Sequence, residues 1–126
     1  MKLAIYIIIF LLFSQILLTN SRSYPLYKQC DPKWKSITMG SSTSTICQKG
    51  CLISSVAMAL NSIGKNYTPQ TLNTWLTANK GYVDGNTFVW GSINTLGVTY
   101  QGKFDRSKIK AELDKNSIVI CKLNTQ

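Results

Sequence analysis

The 126 residues contain no histidine at all. That absence removes the usual general base of a thiol or serine hydrolase from these residues. It also removes the commonest ligand of zinc, and the Cys-x-x-x-Cys spacing of Cys47 and Cys51 is not a usual zinc spacing, so a metal site is a weak reading. No repeat, low-complexity tract or internal linker divides the chain, and no ATP-binding or multi-span segment is present. Acidic residues number only 5 against 14 basic ones, giving a net charge of +9. The basic residues are scattered, however. Lys103, Arg106, Lys108 and Lys110 make the one dense group, and Phe104 alone interleaves with them, which is no nucleic-acid platform. Such a group reads as a solvated face, with anionic partners a secondary option.

One long apolar run is present. Lys2 precedes Leu3 to Leu18, broken only by Ser14 and Gln15, and Thr19-Asn20-Ser21-Arg22-Ser23 turns small and polar. This order is that of a signal peptide over 1–23, cleaved after Ser21 or Ser23, which directs the chain to secretion or to a lysosomal or vacuolar lumen. An uncleaved anchor is the rival, and membrane attachment is expected only in that case; the run is short for a roughly 30 Å hydrocarbon core. Loss of Lys2 and Arg22 with the leader leaves twelve basic and five acidic residues, a net charge of +7, in a single domain over 24–126.

Residues 24–46 read as loop, punctuated by Pro25, Pro32, Gly40 and the Ser41–Thr45 stretch. From Gly50-Cys51 onward, Leu52, Ile53, Val56, Ala57, Met58, Leu60 and Ile63 predict a buried helix that Gly64 ends. Thr68 and Pro69 start a second helix with Leu72, Trp75 and Leu76 inward and Gly81 as its stop. A shorter helix is expected over 87–96, a strand over 98–101, a helix capped by Asp105 or Ser107 with Ile109 and Leu113 inward, and a buried strand over 117–123. Asn66-Tyr67-Thr68 is the one glycosylation sequon, placing Asn66 on a loop, although Pro69 directly after it disfavours modification.

Cys51 stands where a polar loop meets a buried helix. A helix N-terminus favours an anion and lowers a thiol's pKa, which suits a nucleophile whose neighbouring N–H groups form part of an oxyanion hole. Gly50 beside it would admit a substrate backbone. The same position equally suits a staple to Cys47 or Cys30, or an inert thiol, and the four cysteines allow three full pairings.

Tyr27-Lys28-Gln29-Cys30-Asp31-Pro32-Lys33-Trp34, then Met39-Gly40, then the run from Thr45 through Gly50-Cys51 to Leu60 resemble the N-terminal part of a C39-like cysteine peptidase domain; Leu72, Trp75, Leu76, Asn79, Gly81-Tyr82 and Trp90 extend the resemblance over 24 to about 122. The resemblance implies an α+β, papain-like fold in which a central helix beginning at the cysteine packs on an antiparallel sheet. It implies Cys51 as nucleophile and Gln29 as side-chain donor to the oxyanion, with two N–H donors on a neutral amide. Trp34 then serves packing and Asp31 a turn. Cys30 and Cys47 would pair to hold Gln29 near Cys51, with Cys121 a buried free thiol; the rival pair Cys51–Cys121 would abolish the nucleophile. The family's base, a histidine oriented by Asp or Asn, belongs on strands expected beyond Gln126, so the chain reads as a fragment, or as a truncation with little activity. Implied are a peptide or protein substrate with cleavage of peptide or isopeptide bonds, no cofactor, no nucleic acid and a monomer. A non-catalytic, secreted module that binds peptides or anions is the alternative.

Overall fold

The computed structural model describes residues 21–123; the apolar run of the expected leader and the last three residues lie outside them. In order, the elements are α1 (Ile46–Lys49), α2 (Cys51–Asn61), α3 (Pro69–Ala78), β1 (Tyr82–Val83), β2 (Thr87–Phe88), a 3-10 helix (Trp90–Leu96), a 3-10 turn (Arg106–Lys108) and α4 (Ile109–Asp114). β1 and β2 pair antiparallel, with Tyr82 opposite Phe88 and Val83 opposite Thr87. The described residues are therefore mixed helix with one small antiparallel sheet, an α+β composition in the general sense.

The core lies between α2, α3 and the loop before them. Ile53, Val56, Ala57 and Leu60 of α2 meet Leu72 and Leu76 of α3, with Trp34, Met39, Ile46 and Ile93 closing the cluster. Burial of each of these leucines contributes about 2 kcal/mol. α2 is buried on that face and half-buried or exposed along Cys51, Ser55, Met58 and Ala59. Its end follows from sequence: Lys65 N–H returns to Leu60 O (2.9 Å), and Gly64, at φ 80°, takes the left-handed turn. α3 starts as its sequence dictates, with Thr68 accepting from Thr71 N–H and Pro69 in the first turn.

Residues 24–46 carry more order than loop-like composition suggests. Asp31 makes a turn, its carboxylate accepting from Lys33 N–H (2.9 Å) and its carbonyl from Lys35 N–H (2.9 Å). Trp34 is buried, its indole N–H donates to Lys28 O (2.9 Å), and Tyr27 meets it edge-on at 5.7 Å.

Four expected elements come out differently. Thr87-Phe88 is strand, because Tyr82 and Val83 offer it a partner, and only Trp90–Leu96 winds, as 3-10 helix. Residues 98–101 form no strand, since Tyr100 N–H is taken by the Asn94 side chain (2.9 Å) and its ring stacks on Trp90 at 4.9 Å. Asp105 does cap the following turn, yet Leu113 of α4 is 53% exposed rather than inward. Residues 117–123 form no strand either; Ile118, Val119 and Ile120 are half-buried against the helix α2 instead of within a ladder.

A polar relay centred on the buried Asn73 ties three segments together. Tyr82 OH donates to Asn73 Oδ1 (2.9 Å), and Asn73 Nδ2 donates to Thr38 O (2.9 Å). Burial pushes the Tyr82 phenol well above its ordinary value of 10.0. The folded state thus holds this proton more tightly than the unfolded chain does. Its stabilising contribution is complete below the unfolded value, about pH 10, and is lost as pH rises through the folded one. Tyr82→Phe is expected to cost about 1–2 kcal/mol, by stranding Asn73 Oδ1, and to blunt the alkaline loss. Urea unfolding followed at neutral and alkaline pH checks both effects.

Candidate active site

Cys30 and Cys47 are joined by a disulfide. Cys51 and Cys121 are free and exposed. This decides among the pairings: Cys51 is stapled to neither Cys30 nor Cys47. Cys121 departs from its expected place, lying exposed on irregular chain rather than buried in a strand.

Cys51 is the first residue of α2, and the reason lies just upstream. Thr45-Ile46-Cys47-Gln48 forms a capping box, with Thr45 N–H donating to Gln48 Oε1 (2.9 Å) and Gln48 N–H to Thr45 Oγ1 (3.4 Å). That signal was present in the sequence within a stretch that composition assigns to loop. It starts the single turn α1, which buries Ile46, and Gly50 then breaks it so that α2 restarts at the cysteine. Gly50 is required here by its neighbours: a Cβ would lie 2.5 Å from Ile46 O and 2.6 Å from Ile46 Cγ2. The glycine therefore serves a backbone contact within the fold. It supplies no side-chain cap to α2, so the leading N–H groups of the helix stay unclaimed by a capping side chain.

Gln29 is half-buried, and its Nε2 donates to Cys47 O (2.6 Å). Together with the disulfide next door, this bond fastens the Gln29 segment to the turn that precedes Cys51. An amide nitrogen carries two hydrogens, so one N–H remains for another acceptor. Asn66 is exposed in the connection between α2 and α3, while Thr68 of the same sequon is occupied in capping α3.

No family model, curated protein or solved structure matches the chain.

Two recesses follow the outer face of α2. Cys51, Ser55, Met58, Ala59 and Ser62 share that face by helical spacing. A polar recess of about 350 Å³ sits at the far end, between Asn61-Ser62, Ser21–Ser23 and Asn116, where Arg22 Nη2 donates to Asn116 O (2.7 Å). A more apolar groove of about 280 Å³ runs between Ser55, Met58 and Ala59 on one side and residues 118–121 with Tyr24 on the other. Ser54, which sequence reasoning treated only as part of the helix, is 3% exposed and its hydroxyl has no hydrogen-bond partner among the described residues. Among the same residues no group of acidic or cysteine side chains has the makings of a metal site.

Chemically, this is an accessible sulfur at the start of a helix whose other face is locked into the core. A bonded glutamine amide is fixed to the preceding turn. Such an arrangement supports nucleophilic attack and charge stabilisation; it includes no proton acceptor.

Proposed function

We propose that Cys51 is the nucleophile of a secreted or lumenal cysteine-peptidase-like domain of the C39-like group, with α2 as the central helix of a papain-like fold. The single observation that carries this reading is the exposed, unbridged thiol of Cys51 at the uncapped start of α2, while the two neighbouring cysteines are bound to each other. Attack of the thiolate on a peptide or isopeptide carbonyl would give a thioester. The helix-start N–H groups and the remaining N–H of Gln29 would receive the developing oxyanion. The base is not among these 126 residues, which contain no histidine. Hydrolysis by the chain alone is therefore expected to be absent or slow, because loss of one member of such a unit costs orders of magnitude in rate.

The test is alkylation by iodoacetamide at neutral pH, after a mild monothiol reductant, with sites mapped by mass spectrometry. Faster modification of Cys51 than of Cys121 supports the nucleophile. Equal or slower modification of Cys51 overturns it. The lack of histidine favours a second reading, a peptide- or anion-binding module without turnover; in that case binding of a peptide library survives Cys51→Ala and neither form hydrolyses it.

A further inference from the structure

Cys51 and Cys121 are the two exposed, unbridged thiols among the described residues; Cys121 lines the groove beside α2, whose helical wall reaches Ser55, one turn from Cys51. That path is fixed at its start. α4 ends at Asp114; just past it Asn116 takes the left-handed region at φ 63°, and Ser117 N–H returns to Glu112 O (3.0 Å). Asn116 lies beside Asn61 and Ser62 at the C-terminal end of α2, where Arg22 holds its carbonyl. From there residues 118–121 run along Ala59, Met58 and Ser55, hence antiparallel to the helix and toward its N-terminus.

The two lengths agree. From Ser62 back to Cys51 the helix rises about 16 Å. From Asn116 to Cys121 a chain at extended rise advances about 16 Å. Cys121 lines the groove with Ser55, and Cys51 lies one turn further along the same helix face, its carbonyl accepting from the Ser55 hydroxyl (3.0 Å). No strand pairing among the described residues holds this segment, so bringing the two sulfurs to bonding distance breaks no ladder.

We propose that Cys51 and Cys121 form a dithiol that closes to a disulfide and reversibly masks the nucleophile, a regulation that rests on the reading of Cys51 given above. The oxidant is a small-molecule disulfide of the kind an oxidising lumen maintains. The Cys121 thiolate attacks one of its sulfurs, forming a mixed disulfide and expelling one thiolate. The Cys51 thiolate then attacks the Cys121 sulfur, forming the Cys51–Cys121 bond and expelling the second. Two protein thiols are oxidised, one small disulfide is reduced to two thiols, and the two cysteine protons pass to the expelled thiolates.

The experiment incubates the full chain with oxidised glutathione and then alkylates it. Trypsin cuts after Lys49, Lys65, Lys115 and Lys122, so the bond would link peptide 50–65 to peptide 116–122. Expected are that linked pair, a chain mass lower by two hydrogens, loss of Cys51 alkylation, and its recovery on adding reduced glutathione. Cys121→Ser should keep Cys51 alkylation under the same oxidant. Glutathione left on Cys51 with no linked pair, or linkage only between separate chains, overturns the dithiol. Because the linked pair is read on the unaltered chain, a poorly folding variant does not obscure the result. The outcome is also separate from that of the nucleophile: Cys51 can outpace Cys121 in alkylation and never bridge, or bridge and show no such preference.

Discussion

Gly40→Ala is expected to lower the unfolding free energy by about 3 kcal/mol, more than an exposed loop glycine ordinarily commands. Two independent costs meet at this position. Gly40 sits at φ 56°, where a side chain costs roughly 1–2 kcal/mol. Its missing Cβ would also lie 2.2 Å from Gly85 O and 3.0 Å from the Tyr82 ring. Neither neighbour is free to retreat. Gly85 O accepts from Ser41 N–H (3.1 Å), and Asn86 Nδ2 donates to Ser42 Oγ (3.1 Å), so the hairpin tip is bonded to the turn it approaches. Displacing packed backbone adds roughly 1–3 kcal/mol. Gly64→Ala makes the control, since Gly64 has φ 80° but nothing within 4 Å of its would-be Cβ, and only the conformational cost applies. Urea denaturation of both variants isolates the contribution of the close approach; a Gly40→Ala loss no larger than that of Gly64→Ala would mean the hairpin is not docked there.

Those two glycines show how legible the fold was. Gly64 could be read as a helix stop because the apolar run on one side and the Thr68-Pro69 signal on the other left it no other role. Gly40 read only as loop punctuation, because its reason lies in Gly85, forty-five residues later, and a contact at that separation leaves no local pattern. The same division runs through the site. Helix starts were visible at Cys51, from apolar spacing, and at Thr68, where cap, proline and apolar spacing all act within one turn. Strands were not. Ile118-Val119-Ile120 has the composition of a buried strand, but composition says nothing of what offers it hydrogen bonds; in the structure it lies along the outer face of α2. Thr87-Phe88 sits at the start of a helical pattern, yet Tyr82 and Val83 claim it as a partner. Gln29 was singled out through a resemblance alone, and its bond to Cys47 O had no signature in residue spacing.

Removal of the Cys30–Cys47 bridge by replacing both cysteines with alanine is expected to cost about 3 kcal/mol. The two cysteines are 17 residues apart, and the loop they close is lost from the constraints on the unfolded chain. Two observations separate this loss from simple damage to the folded state. The unbridged chain unfolds to a larger ensemble, so the urea m-value should rise while the midpoint falls. Core packing should stay, because Trp34 and Ile46, both within the loop, are anchored by Lys28 O and Ile37 O through their own hydrogen bonds (2.9 and 2.8 Å). The site should feel the change unequally. Cys51 belongs to α2, which Ile53, Val56 and Leu60 lock into the core, so its thiol should keep its alkylation rate. Gln29 has no such support: its amide is fixed to the turn before Cys51 by one bond to Cys47 O, backed by the covalent link beside it. Without the bridge that amide has more freedom, and any function requiring its second N–H should weaken before the thiol itself does. Equal loss of Cys51 alkylation and of Gln29-dependent function would instead mean that the bridge positions α2 as a whole.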